Sequence, residues 1–318
     1  MSSIKIVSPG FFTTVQDNGR YGYRCFGMPV SGAMDFFSHM AGNLIVGNDP
    51  GEASLEATIK GPEIKFSRKT MIAITGAEMD PMINGKPVEM WTGIIAGRGD
   101  RLSFGSVTSG LRSYISFAGG IDVPETMGSR STYIRGRIGG VMGRKLEEND
   151  NIRLFPAMTL LRKKRRLPLA LIPEWRRDTT LRIMKGVDYG EFTTEASDLL
   201  VSSPFEVTNY SDRMGIRLSG TTLQHKRKAD VISYPLVPGT IQVPGDGNPV
   251  IMLADSQTIG GYTQIANIIT ADLWKTGQLR PGDEVRFTLT GYDDAIKSLA
   301  DLFNELFGTF GINRMPGF

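Results

Sequence analysis

Apolar residues along this chain recur mostly in short alternating runs separated by glycine-rich turns, the pattern of half-buried strands rather than of long helices. Three segments carry it in one form: Gly99-Asp100-Arg101-Leu102-Ser103-Phe104, Asn149-Asp150-Asn151-Ile152-Arg153-Leu154-Phe155 and Gly282-Asp283-Glu284-Val285-Arg286-Phe287. Each is a polar turn feeding a strand whose apolar residues share one face. Their recurrence in both halves points to two similarly built β domains. A fourth run, Ile241-Gln242-Val243, the turn Pro244-Gly245-Asp246-Gly247 and Val250-Ile251-Met252-Leu253-Ala254, predicts a hairpin with a buried second strand.

Helical spacing is rare. Asp35 is a candidate N-cap for a helix over 36–46, with Phe37, Met40, Ala41, Leu44 and Ile45 on one stripe and Gly47 as its stop. Such a helix should cover a barrel. Asp293 and Asp294 favour the start of a second helix, whose Ala295, Ile296, Leu299, Leu302, Phe303 and Leu306 form a stripe that docks on the core or on a partner. Between them, residues 157–178 combine charge, proline and loss of periodicity, so we expect an N-terminal β-barrel domain over 1–165 and a C-terminal one over 175–318. The fold class expected is mainly β with a few helices.

Composition narrows the chemistry. With 318 residues and 40% hydrophobic content, two cores can form without metal or disulfide support, and no run approaches the roughly 18 apolar residues of a membrane span. The start of the chain shows no secretory pattern, so a cytoplasmic location is expected. One cysteine, Cys25, and two histidines, His39 and His225, cannot assemble a Cys/His zinc site. A net charge of +3 argues against a nucleic-acid partner. The basic run Arg162-Lys163-Lys164-Arg165-Arg166, bracketed by Pro156, Pro168 and Pro173, reads as a solvated linker or a docking patch.

Familiar catalytic signatures are absent. Asn84-Gly85-Lys86-Pro87 lacks the upstream glycine and the Ser/Thr of a phosphate loop and reads as a hairpin turn. Met184-Lys185-Gly186 lacks the second methionine of a biotin attachment site, so no covalent biotin is expected on Lys185. Four polar loops remain. The first runs from Thr13-Thr14-Val15-Gln16-Asp17-Asn18-Gly19-Arg20 to Pro29-Val30-Ser31-Gly32-Ala33-Met34-Asp35. Its turn before a helix leaves backbone N–H groups for an anion, with Thr14 and Arg20 adding a hydroxyl and a guanidinium; alternatively it is a turn and a cap. The second, Gly128-Ser129-Arg130-Ser131-Thr132 through Gly139-Gly140 and Gly143-Arg144, combines hydroxyls, guanidiniums and flexible backbone that suit phosphate, carboxylate or a partner loop, or is a solvated loop. The third, Tyr210-Ser211-Asp212-Arg213-Met214-Gly215, offers an exposed carboxylate/guanidinium pair that adds at most about 1 kcal/mol or orients a substrate. The fourth places Asp255 at the end of an apolar run, followed by Ser256-Gln257-Thr258-Ile259-Gly260-Gly261-Tyr262. A carboxylate there is costly unless partnered, so it lines a site or braces a turn.

Five of these motifs, Thr13-Thr14-Val15-Gln16-Asp17, Ser31-Gly32-Ala33-Met34-Asp35, Gly128-Ser129-Arg130-Ser131-Thr132, Asp212-Arg213-Met214-Gly215 and Gln257-Thr258 with Gly260-Gly261-Tyr262, occur in this order. On them the chain resembles the family that contains the C subunit of bacterial 5-oxoprolinase, the KipA regulators and the carboxyltransferase segment of urea carboxylase. The resemblance implies two cyclophilin-like β-barrel domains and a KipI-like B subunit as partner. It also implies a LamB/YcsF-like A subunit, and ATP with Mg²⁺ used by the assembled complex to open a cyclic amide, 5-oxoproline, to glutamate. The other activities it implies are the carboxyltransferase half of a biotin-dependent urea or amide carboxylase, and a non-catalytic antagonist of a kinase inhibitor. Ser256 and Ile259 depart from the family pattern, where arginine and threonine usually stand. Judged by residue chemistry, Asp255, Asp212 and Arg213 are the candidate catalytic groups. Thr14, Gln16, Asp17, Arg20, Ser31, Gly32, Asp35, Gln242, Gln257, Thr258, Gly260, Gly261 and Tyr262 are the candidate substrate- and anion-binding groups, with any metal ligand unassigned.

Overall fold

The computed structural model describes residues 2–157 and 164–312, so Arg162 and Lys163 of the basic run lie outside the described residues. The chain divides into two compact units. The first comprises Met1–Tyr21, Ser31–Trp175 and Glu305–Phe318, and the second comprises Gly22–Val30 and Arg176–Asn304.

In the first unit the alternating runs form strands β1 (Ser2–Ser8), β2 (Phe12–Gln16), β3 (Ser54–Thr58), β4 (Glu63–Phe66), β5 (Thr70–Glu78) and β6 (Met82–Ile83). They continue as β7 (Lys86–Pro87), β8 (Ile94–Ala96), β9 (Arg101–Ser103), β10 (Ser109–Phe117) and β11 (Asn151–Leu154). One sheet runs β11-β1-β4-β9-β6-β7 and the other β2-β3-β10-β5-β8. Ile4, Ile6 and Phe66 from the first and Leu55, Ile72, Ile115 and Phe117 from the second share one core, each at most 1% exposed. Fully burying such a side chain stabilises the fold by about 1.5–3 kcal/mol. The strands of this unit therefore form two facing sheets around one core. Asn84 and Gly85, both left-handed at φ 52° and 76°, make the tight turn between β6 and β7 that excludes a phosphate loop.

Helix α1 (Phe36–Val46) starts and stops where its caps predicted: the Asp35 carboxylate accepts the Ser38 N–H, and Gly47 is left-handed at φ 85°. Its environment differs from the expected one-sided stripe. Every residue after Phe36 is buried, because the helix lies against β5 and β10, and a Cβ on Gly42 would stand 2.7 Å from Ser116 Oγ. Its polar residues are consequently bonded inside. His39 Nδ1 lies 2.8 Å from Ser54 Oγ, Asn43 Nδ2 donates to Glu52 O at 2.7 Å, and Thr75 Oγ1 donates to Ser38 O at 2.7 Å.

Burial pushes the His39 imidazole down to about 4, although the carboxylates of Asp17 and Glu56 pull it the other way. The unfolded chain, with an ordinary imidazole, binds this proton first on acidification. Stability is therefore complete above about pH 6.5 and is lost as the pH falls toward about 4, by about 3 kcal/mol. Urea midpoints measured across that window should fall steeply for the parent chain, and His39→Gln should flatten this part of the profile.

The second unit contains β12 (Asp178–Lys185), helix α2 (Thr194–Ser202), β13 (Phe205–Val207), β14 (Gly215–Gly220), β15 (Asp230–Pro235) and β16 (Thr240–Val243). It continues with β17 (Val250–Met252), β18 (Ile259–Ile268), helix α3 (Thr270–Leu273) and β19 (Glu284–Leu289). Pairing runs β12-β19-β13-β14-β17-β16-β18 and returns from β18 to β12, which closes a seven-stranded barrel, with β15 added outside along β18. Neighbours in an antiparallel ring alternate in direction, so an odd ring must contain a parallel pair. That pair is β12 with β19, from Asp178 opposite Glu284 to Ile183 opposite Leu289. Leu181, Ile183, Ile241, Ile251, Ile265 and Val285 fill the interior at 0% exposure, and the Phe205 and Phe287 rings meet at 5.6 Å. The predicted hairpin is present, with Ile241 opposite Ile251. Helix α4 (Tyr292–Thr309) follows; Phe303, Leu306 and Phe307 on it are buried, while Ile296, expected on the same stripe, is half exposed.

Candidate functional site

In the first unit the polar loops meet around the end of β2. The Asp17 carboxylate accepts the Gly19 N–H at 2.8 Å and the Ser129 hydroxyl at 2.7 Å, and also the Ser131 hydroxyl and the Arg130 N–H. Four donors saturate it, so Asp17 ties the loop 128–132 to the end of β2 and has no capacity left to receive a ligand's proton donor. Asp35 is likewise engaged as the cap of α1, accepting the Ser38 N–H at 2.9 Å and the Ser38 hydroxyl at 2.5 Å. Both carboxylates brace their turns, Asp35 as the cap that the sequence offered as one of two readings.

Arg20 is fully buried, donating from Nη2 to Ser131 O at 2.7 Å and from Nε to Thr126 O at 3.3 Å. Its charge acts from behind the loop 126–131, not at a surface. Thr14 Oγ1 accepts from Gln16 Nε2 at 2.9 Å, and the same amide donates to Thr132 O at 3.2 Å. That leaves Gln16 Oε1 buried without a partner among the described residues, and Ser31 Oγ is in the same condition. Ser31 and Gly32 are both left-handed, at φ 56° and 85°, and a Cβ on Gly32 would lie 2.9 Å from Gly19 N, so the turn packs on the 17–19 segment. The Ala33 N–H donates to Asp17 O at 2.9 Å and fixes that packing.

A second layer escaped the sequence. Glu56, on β3 in an otherwise compact run, accepts the Met34 N–H at 2.9 Å and the Tyr114 hydroxyl at 2.7 Å, and the Tyr114 oxygen accepts the Asp35 N–H at 2.8 Å. Arg112 Nε stands 3.8 Å from Glu56. Burial, followed by the nearby carboxylates of Glu56 and Asp35, pushes the Tyr114 phenol well above its usual range, so it remains a donor at all working pH values. The only hint in the sequence was a glutamate inside a strand between Leu55 and Ala57.

In the second unit, Arg213 and Asp255 form a buried pair: Nε to Oδ2 at 2.8 Å and Nη2 to Oδ1 at 3.2 Å, with both side chains 9% exposed. The Asp255 N–H also donates to Arg213 O at 2.9 Å. Arg213, expected at an exposed site, is buried in a two-point bond between strand ends 42 residues apart. Asp212 is exposed and accepts the Met214 N–H at 2.7 Å and the Gly215 N–H at 3.2 Å, bracing the turn before β14. Gln242 is buried and donates to Tyr262 O at 3.0 Å. Gly260 has ordinary backbone, but a Cβ there would meet Leu236 Cδ1 at 2.7 Å and Gln242 Nε2 at 2.8 Å, so close approach accounts for it. Gly261 packs likewise toward Ser233, 3.3 Å from its Oγ. Thr258 O accepts the Leu236 N–H at 2.9 Å, while Gln257 and Tyr262 are exposed on the run entering β18.

Ser256, where the resemblance leads one to expect arginine, is fully buried, and its Oγ has no partner among the described residues. A further cation of this unit was not expected. Arg24, in the segment Gly22–Val30, donates from Nη2 to Leu236 O, its Nη1 is buried without a partner among the described residues, and burial lowers its pKa from the usual arginine value. Its neighbours Tyr23 and Cys25 give no pattern that could have flagged it. Among the described residues, no group of three or more His, Cys, Asp or Glu is arranged to hold a metal ion, and no helix is long and apolar enough to cross a membrane.

Comparison with known proteins places these features in a wider set. Residues 26–289 match the family model described as carboxyltransferase domain, subdomain A and B. The chain is 35% identical to the C subunit of 5-oxoprolinase from Escherichia coli over 300 residues, spanning 94% of both proteins. It is also 35% identical to urea amidolyase of Lachancea kluyveri, where the match spans 94% of this chain and 18% of that protein. The crystal structure of the K. lactis urea amidolyase superposes with a TM-score of 0.92 at 32% identity, covering 99% of this chain and 20% of that one.

Proposed function

The chain belongs to the carboxyltransferase-domain family with subdomains A and B, and from that premise we propose that it is the C subunit of an ATP-dependent 5-oxoprolinase. It would work with a KipI-like B subunit and a LamB/YcsF-like A subunit to convert 5-oxoproline to glutamate. The observation that carries this reading is the match over 94% of both this chain and the Escherichia coli protein. Site chemistry supports it. A five-membered lactam offers one N–H donor and one carbonyl acceptor, and the buried atoms around β2 without a partner among the described residues include two carbonyl oxygens, Gln16 Oε1 and Asn18 Oδ1, and a hydroxyl, Ser31 Oγ. A buried acceptor without a donor is costly, and a ligand N–H relieves that cost.

Among the described residues the Asn84-Gly85 turn is a hairpin and no cluster of three or more His, Cys, Asp or Glu is arranged to hold a metal ion. In this reading ATP is assigned to one of the partner chains. This chain's share of the work is to hold the amide against fixed groups, with Glu56 and Tyr114 locking the Met34 and Asp35 amides so that the Ser31 turn cannot relax. In the second unit the Arg213–Asp255 pair keeps the ends of β14 and β17 together, which fixes the run from Ser256 to Tyr262.

The urea amidolyase likeness favours a second reading, a carboxyltransferase half that receives carboxybiotin from another chain. Co-purified with its KipI-like and LamB/YcsF-like partners and supplied with ATP and 5-oxoproline, the chain should yield ADP and glutamate in equal amounts. A stable complex without turnover would remove the leading reading. ATP-dependent carboxylation of urea by the same chain with a biotin carboxylase and its carrier would establish the second.

A further inference from the structure

The first unit contains a cavity of about 590 Å³ that the lactam reading does not use. It is walled by the loop 137–143 and by the segments around Val123 and Ile152. The glycines of this loop serve left-handed backbone and close packing. Arg137, Gly139, Gly140, Met142 and Gly143 all have left-handed φ, between 53° and 69°. Added Cβ atoms at Gly139 and Gly140 would stand 2.0 Å from Ser131 O and Thr132 Oγ1. Arg137 and Met142 hold a left-handed backbone that side-chain-bearing residues rarely adopt, and such strain clusters in ligand-binding segments.

The charges around the cavity do not cancel evenly. Its two carboxylates are already neutralised: Asp122 pairs with Arg153 at 3.1 Å, and Asp150 accepts two bonds from Arg144, each 2.8 Å. Arg137 forms no ion pair or side-chain hydrogen bond among the described residues, and neither does the Asn151 amide. The backbone N–H groups of Gly139, Val141 and Met142 likewise find no protein acceptor among the described residues. Behind the wall lies the buried Arg20, whose Nε bonds Thr126 O and whose Nη2 is 3.0 Å from the Cβ position of Gly139. Thr126 and Gly139 both face the cavity. Val123 and Ile152 form apolar wall, and Met142 is 81% exposed at the rim.

We propose that this cavity is a binding site for an organic monocarboxylate with an apolar body, its carboxylate held by Arg137 and the loop N–H groups. One open guanidinium, three spare N–H donors and a buried cation behind them call for a single anionic head, which a planar carboxylate matches two-to-two. A phosphate monoester or a polyphosphate fits less well, because a single open guanidinium leaves a second negative charge without a partner. The apolar wall and the volume suit a small organic body. The site goes beyond the proposed activity and does not depend on it, since the isolated chain is enough to test it.

Phenylacetate is titrated into the chain labelled at methionine methyls and backbone ¹⁵N, with phenylacetamide as the neutral control. Saturable shifts of the Met142 methyl and of the Gly139, Val141 and Met142 amides are expected with phenylacetate only. Arg137→Gln should weaken binding about tenfold or more. Because the Arg137 side chain forms no ion pair or hydrogen bond among the described residues, the spectrum of the unliganded variant should match that of the parent outside the loop. Arg137→Lys, which keeps the charge but not the fork, should retain part of the affinity. Equal shifts with phenylacetamide, no saturable shift at these four groups, or unchanged affinity in Arg137→Gln would overturn the proposal.

Discussion

Asp255→Asn is expected to destabilise the chain by about 3–5 kcal/mol, because it leaves the buried guanidinium of Arg213 facing a neutral amide. The carboxylate takes two bonds from Arg213, and an asparagine can keep only one acceptor oxygen while turning an N–H toward a donor. Urea denaturation of the single variants and of Arg213→Met with Asp255→Leu separates pairing from packing. The double variant should recover most of the loss, since replacing both members of a buried pair by apolar groups is commonly neutral or stabilising. Loss of activity in Asp255→Asn alone would therefore say nothing about catalysis until stability is restored. Full stability in the single variant would show that the pair is not closed off from water as its 9% exposure indicates.

Asp17→Ala should cost at least as much, about 4–5 kcal/mol, since four donors lose their acceptor at once. Asp17→Asn should recover only part, because one oxygen survives but the new NH₂ meets the Arg130 N–H or a hydroxyl. Hydrogen exchange gives the sharper check. The Arg130 and Gly19 amides should lose protection in either variant before the core strands do, as expected if the loop 128–132 is released locally. Uniform loss of protection across the first unit would mean instead that Asp17 holds up the sheets themselves.

Local devices were the legible part of this fold. Asp35 and Gly47 bounded α1 correctly because a cap and a left-handed stop act within one turn of chain. The polar turns before Arg101, Asn151 and Glu284 were read as strand starts for the same reason, and each does begin a strand. Burial around α1 was not legible, since His39 and Asn43 look solvent-facing until their partners, Ser54 and the carbonyl of Glu52, arrive from elsewhere in the chain. On α4 the apolar spacing was read correctly as helix, yet tertiary context buries Phe307 and leaves Ile296 half exposed.

The candidate site divides along the same line. Residue types picked out Asp17, Arg20, Ser31, Arg213 and Asp255, but types do not say which charges are spent on structure. Asp17 is saturated by Ser129, Arg130 and Ser131, which no local pattern announces, whereas the Asp35 cap was legible, and Arg213 reaches Asp255, 42 residues further along the chain. Glu56, Tyr114, Arg24 and Arg137 became visible only once distant segments were side by side.

The parallel seam between β12 and β19 has a consequence for synthesis. The first strand of the barrel waits for the last, so a ribosome must release residues up to Leu289 before the ring can shut. Until then Asp178–Lys185 has one open edge, which makes the emerging polypeptide a client for chaperones and a risk for self-association. A circular permutant that joined these two strands early would have to span a parallel crossover, so moving the termini elsewhere is the easier way to shorten that vulnerable interval.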